Sequence, residues 1–228
     1  MNRYERQTVL PEIGEAGQKR LAKAKVLLVG VGGLGSPISL YLTAAGVGTL
    51  GIMDADVVSV SNLQRQVLYE EAQVGQPKVK FAAQRLRALN SEVKIEAYPF
   101  RLTADNAESL IRQYDIVVDG CDNFETRYLL SEVCARLHKP YVYGAIQGFE
   151  GQVAVFDTAH HPMTYKGLYP EPVDPSPLLK AVIGTTPAIV GSVEANEVLK
   201  LIVGFGDPLY GKLWTIDLRN MQTFVIDL

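Results

Sequence analysis

Apolar residues first concentrate in Lys25-Val26-Leu27-Leu28-Val29, a short run that ends on glycine, and then recur at helical spacing from Leu34 to Ala45 before stopping at Gly46. The pattern predicts a strand, a tight turn and a helix. A second apolar run, Thr49 to Asp54, closes a βαβ unit of about 30 residues, which implies a parallel pair with a right-handed crossover. Helical spacing returns over Pro77–Leu89, Ala104–Arg112 and Glu125–Leu137, and strands are expected at Val93–Tyr98, Ile116–Asp119, Tyr141–Gly144 and Gly151–Phe156. The chain therefore opens as an α/β nucleotide-binding sheet.

Between His160 and Pro177 the pattern breaks: five prolines, few aliphatics and two adjacent histidines predict a surface crossing. Thr185-Thr186-Pro187 then offers a cap and a first-turn proline for a helix to Val203, with Ile189, Val190, Val193 and Ile202 on its apolar side and Gly204 as its stop. Lys212–Asp217 and Thr223–Ile226 read as a terminal hairpin. The expected organisation is one domain over 1–228: a helical segment (1–24), a nucleotide-binding core (25–156), a crossover loop (157–184), and a helix with hairpin (185–228).

Composition agrees with one soluble domain: 228 residues, 47% hydrophobic and 21% charged. A net charge of −3 gives no basic field for nucleic acid or anionic membrane, so neither is expected as a partner. The polar start Met1-Asn2-Arg3-Tyr4-Glu5-Arg6-Gln7 has no apolar stretch of the secretory kind, and a cytoplasmic location is expected. With only Cys121 and Cys134 present, neither a disulfide framework nor a four-thiolate zinc site is available.

Candidate chemistry begins at Gly30-Val31-Gly32-Gly33-Leu34-Gly35. A glycine turn between strand and helix lets backbone N–H groups and the positive helix end approach phosphate or ribose oxygens. Asp54 ends the next strand 19 residues after Gly35, where a carboxylate accepts bonds from ribose hydroxyls. The pair marks a nucleotide site without naming the nucleotide; NAD in a Rossmann oxidoreductase suits it as well as ATP. Further along, Ser61 and Gln64 have capping-box spacing, and a helical turn started there would place Asn62 and Arg65 on one face. An exposed polar helix start explains the same residues.

Several segments taken in order are more specific: Arg3-Tyr4-Glu5-Arg6-Gln7, the glycine turn, Ala45-Gly46-Val47-Gly48, Asp54-Ala55-Asp56, Ser61 to Gln66, Gly75-Gln76-Pro77-Lys78, Asp119-Gly120-Cys121-Asp122-Asn123 and Glu150-Gly151-Gln152. Through them the chain closely resembles the ThiF/MoeB branch of the E1-like activating enzymes over nearly its whole length. The resemblance implies a Rossmann-like, doubly wound, mostly parallel sheet with antiparallel C-terminal strands. It also implies ATP-dependent adenylation of the C-terminal Gly-Gly carboxylate of a ubiquitin-like sulfur carrier, in thiamine or molybdopterin biosynthesis. Gly30, Gly32, Gly33 and Gly35 would lie along the nucleotide and Asp54 would hold the ribose. Asp56, Ser61, Asn62, Arg65, Gln66, Lys78, Asp122 and Asn123 would complete the ATP site, with magnesium at Asp122. Arg6 would reach the site of a neighbouring subunit in a homodimer.

The chemistry is coherent with those assignments. A C-terminal carboxylate, with an ordinary pKa of about 3.5, is ionised at neutral pH and needs no general base. Catalysis then consists of positioning and charge neutralisation by Arg6, Arg65, Lys78 and magnesium, each cation lowering the barrier by about 3 kcal/mol.

The sequence also departs from the family pattern. Where the family carries the first Cys-X-X-Cys pair of a zinc site, this chain reads Thr164-Tyr165-Lys166-Gly167-Leu168, so zinc is not expected. His138, His160 and His161 are expected to be solvated loop residues that do not replace those thiols. The family's sulfur-relay cysteine falls at Pro177; Cys121 and Cys134 read as packing residues, and the acyl-adenylate would pass to another protein's sulfur. Two alternatives remain open: an NAD-dependent oxidoreductase, and a non-catalytic carrier-binding scaffold.

Overall fold

The computed structural model describes residues 3–171 and 181–228. Two short helices, α1 (Glu5–Thr8) and α2 (Gly14–Leu21), precede β1 (Lys25–Val29), α3 (Gly35–Ala45), β2 (Thr49–Met53), α4 (Lys78–Leu89), β3 (Lys94–Tyr98), α5 (Ala104–Ile111), β4 (Ile116–Asp119) and α6 (Phe124–Leu137). There follow β5 (Tyr141–Gln147), β6 (Glu150–Phe156), α7 (Tyr165–Leu168), α8 (Thr185–Val203), β7 (Lys212–Asp217) and β8 (Gln222–Asp227). The eight strands form one sheet in the order β3-β2-β1-β4-β5-β6-β7-β8. β1 to β5 run parallel, and β6, β7 and β8 are added antiparallel. This is the mostly parallel α/β architecture expected from the alternating pattern.

Strand period two sorts the core into two layers. On one face Val26, Leu28, Leu50, Ile52, Val118, Val142 and Val153 pack with residues of α3, α4 and α8. On the other Leu27, Val29, Val117, Tyr141, Tyr143 and Phe156 pack with α5, α6 and α7. Both faces are covered, so the parallel strands read as continuous apolar runs.

Three local expectations need correction. No capping box forms at Ser61 and Gln64: the turn is a 3-10 segment, Val60–Asn62, entered from Ser59, and the Gln64 side chain points to the Val182 carbonyl. Thr185 does not cap α8, which is entered from Gly184 while the Thr186 hydroxyl donates to the Gly148 carbonyl. The crossover is not merely a surface strap, because α7 buries Tyr165 completely against Tyr128, Tyr143, Phe156 and Tyr169. Aromatic rings supply there the apolar mass that a count of aliphatics misses. Pro177, the position of the family cysteine, lies outside the described residues.

Candidate functional site

The strand order turns around between β1 and β4, and at their C-terminal ends two glycine turns meet. Gly30 follows β1 with φ of 94°, and a Cβ there would lie 2.5 Å from the Gly120 carbonyl oxygen. A Cβ on Gly35 would come within 2.1 Å of the Gly30 carbonyl. Gly30 and Gly35 are thus required by close backbone packing at the sheet's switch point, where ligands of open α/β sheets bind. Gly32 and Gly33 face other groups: the Gln66 amide for the first, Pro187 and the Arg65 side chain for the second, each no nearer than 3.4 Å to where a Cβ would sit.

Asp54 stands beside this turn. Its Oδ2 accepts from the Val31 N–H at 3.0 Å and its Oδ1 from the Asp56 N–H at 2.8 Å, which leaves each oxygen a further lone pair. Burial pushes its carboxyl above the usual range, opposed by Lys78. Lys78 opens α4 and is itself buried, with its Nζ 3.4 Å from Oδ2 of the more exposed Asp56. The backbone fixes this pair: the Lys78 N–H donates to the Asp56 carbonyl at 3.0 Å. Arg65 is tied at one end only, from Nη1 to the Ser61 carbonyl at 3.0 Å. Ser61 itself exchanges a hydroxyl bond with Ser59, and the Asn62 carbonyl receives the N–H groups of Arg65 and Gln66.

Asp122 and Asn123 lie on the second turn, after β4. Asp122 is exposed. Asn123 has a structural duty: its side-chain oxygen accepts the Thr126 N–H at 2.9 Å and caps α6. Arg6 is not brought to this site in its own chain. α1 docks at the far end of α3, where Gln7 donates to the Ala45 carbonyl at 3.1 Å, and α3 separates it from the glycine turn by about 16 Å of helix.

A buried polar network that the sequence pattern does not signal lies beneath the second turn. Asp119, fully buried, accepts from Arg127 Nε at 2.9 Å, the Tyr141 hydroxyl at 3.0 Å and the Cys121 N–H at 2.8 Å. Arg127 Nη2 donates to the carbonyls of Cys121 (2.9 Å) and Gly144 (3.2 Å). On the opposite face Glu194 of α8 is fully buried with neither carboxyl oxygen hydrogen-bonded, and burial followed by Asp119 pushes its pKa well up. A glutamate on the stripe Val190, Glu194, Val198 was the available signal.

The thiols and two of the histidines have surroundings of their own within the chain. Burial, then Asp119, push the Cys121 thiol up, which opposes a reactive thiolate; Cys134 lies in the core. His160 is not simply solvated: its Nδ1 is 2.8 Å from Asp157 and its ring stacks on Tyr210. His161 packs its ring against Gly211. Among the described residues no three potential ligands converge on one point.

The ThiF family model matches residues 4–228. A sulfur carrier protein adenylyltransferase of Thermus thermophilus is 49% identical, the match covering 95% of this chain and 83% of that protein. A probable adenylyltransferase/sulfurtransferase, MoeZ, of Mycobacterium tuberculosis is 45% identical over 96% of this chain but only 58% of its own length. Among solved structures, E. coli MccB with ATP superimposes with a TM-score of 0.86 over 99% of this chain and 70% of its own, at 23% identity, a likeness of fold.

Proposed function

The chain belongs to the ThiF family, and from that premise we propose that its glycine turn binds ATP for adenylation of the C-terminal carboxylate of a sulfur carrier protein. It is an adenylyltransferase. The observation that carries the site is the grouping of Asp54, the Lys78–Asp56 pair and a half-free Arg65 around Gly32 and Gly33. Asp54 receives the ribose hydroxyls, while Arg65, Lys78 and Asn62 take the phosphate oxygens. A carboxylate oxygen of the carrier's terminal glycine attacks the α-phosphorus in line with departing pyrophosphate, and the cations offset the charge that develops. NAD offers no terminal phosphates to Arg65 and Lys78, so the hydride-transfer reading is set aside.

Asp122 is a hard oxygen donor on a rigid turn and fits magnesium held by one carboxylate together with phosphates. Magnesium there would neutralise charge on the phosphate oxygens. Arg6, remote from its own turn, is assigned to the site of a second copy, which makes the working unit a homodimer. With no thiol at Pro177, the acyl-adenylate is passed to sulfur on another protein, in thiamine or molybdopterin synthesis; no zinc is assigned and a cytoplasmic location fits. Lys78→Ala and Asp122→Ala are each expected to abolish carrier-dependent ATP/pyrophosphate exchange while leaving a native circular-dichroism spectrum. Near-normal exchange in either folded variant overturns the assignment of that residue.

A further inference from the structure

We infer that Arg127, Asp119 and Tyr141 are positioning residues for Asp122: a buried clamp that holds the Gly120–Asn123 turn in the one shape that presents its exposed carboxylate to the metal–phosphate group. The inference rests on the reading of Asp122 as the magnesium residue.

The geometry is specific to the backbone on one side of Asp122. Both polar groups of Cys121 are held by the pair: its N–H donates to Asp119 Oδ1 at 2.8 Å, and its carbonyl accepts from Arg127 Nη2 at 2.9 Å. One residue earlier the Gly120 N–H donates to the Val29 carbonyl at 2.8 Å, locking the turn to β1. One residue after Asp122, Asn123 caps α6. Asp122 is therefore the single free side chain between two fixed neighbours. The same Arg127 Nη2 reaches the Gly144 carbonyl at 3.2 Å, and the Tyr141 hydroxyl reaches Asp119 Oδ2 at 3.0 Å, so the turn is also referenced to β5. The guanidinium lies 5.5 Å from the centre of the Tyr143 ring.

A purely stabilising ion pair needs none of these backbone contacts. Burying a charge pair is poorly repaid by attraction alone, and apolar packing commonly does as well. What a planar fork adds is direction: it can hold a carboxylate and carbonyls together, whereas an ammonium is a point charge. Groups that orient a metal ligand from behind typically alter metal affinity when changed.

Arg127→Lys separates the two roles, since it retains a charge for Asp119 but cannot reach both carbonyls. The test is calorimetric binding of a non-hydrolysable ATP analogue with and without magnesium, alongside thermal melts and circular dichroism. The folded variant is expected to bind the analogue without magnesium as wild type does, and to lose about tenfold of the affinity that magnesium adds. Tyr141→Phe, which removes one hydroxyl at unchanged packing, should show the same loss at smaller size, and it decides the matter if Arg127→Lys does not fold. Asp122→Ala is measured in parallel. If it abolishes the magnesium gain while the clamp variants keep it, the clamp is wrong and the metal assignment stands. If Asp122→Ala keeps the gain, the metal assignment fails and the clamp with it.

Discussion

Two cations stand beside carboxylates at the same end of the sheet, and they are bonded in opposite ways. Arg127 lies against the fully buried Asp119 at 2.9 Å and places its remaining contacts on two carbonyls and an aromatic ring. Lys78 lies 3.4 Å from Asp56, whose side chain is 57% exposed, and Arg65 holds one carbonyl. The first arrangement leaves little for a ligand to recruit. The second leaves N–H groups of Arg65 and Lys78 with no hydrogen-bond partner among the described residues. A cation with its donors occupied shapes the site; under the proposed function, a cation with donors in reserve meets the triphosphate.

Breaking the first pair should cost the most stability. Arg127→Ala leaves Asp119 buried and unpaired, and is expected to lower unfolding free energy by about 3–5 kcal/mol in urea titration. Breaking the second pair should instead cost activity: Lys78→Ala is expected to raise the adenylation barrier by about 3 kcal/mol, read as pyrophosphate exchange, with a smaller loss of stability than Arg127→Ala because Asp56 is solvated. If both variants lose stability alike, the contrast between the two cations fails.

Glu194 sharpens the comparison from the opposite face, as a buried acid with no partner. Its pKa is raised from 4.5, so above that value the unfolded chain releases a proton that the folded chain keeps. Folded stability then falls as pH rises until the folded pKa is passed. Glu194→Gln should remove this fall, giving a variant whose stability declines less between pH 5 and pH 8 in denaturant titrations (roughly the range where ordinary carboxyls are already ionised). Equal slopes would contradict a retained proton. The smallest expected effect is at Asn123: losing the cap of α6 should cost about 1 kcal/mol in the same titrations.

Much of this was legible in the chain. Apolar strands ending in Gly30, Asp54 and Gly120 announce a parallel sheet because loops at those ends carry its chemistry, and the turn residues interrupt the hydrophobic pattern sharply. Asp54 stood out as a candidate for the same reason, whereas Arg65 and Lys78 were assigned to the site only through the resemblance of their segments to the ThiF/MoeB pattern. Arg127 was not, since an arginine in a helix's first turns looks like a solvated one until tertiary structure buries it beside Asp119. Tyr165 was hidden by its proline-rich surroundings, and Gly144 gave no sign that its missing side chain makes room for Glu194, whose Cδ lies 2.2 Å from where a Cβ would stand.

The most direct test is mass spectrometry of a Gly-Gly-ending sulfur carrier incubated with this protein, ATP and magnesium. A carrier heavier by one AMP at its C-terminal glycine, formed by wild type and not by Lys78→Ala, is the predicted result. An unmodified carrier with wild type, or equal modification by Lys78→Ala, would contradict the account.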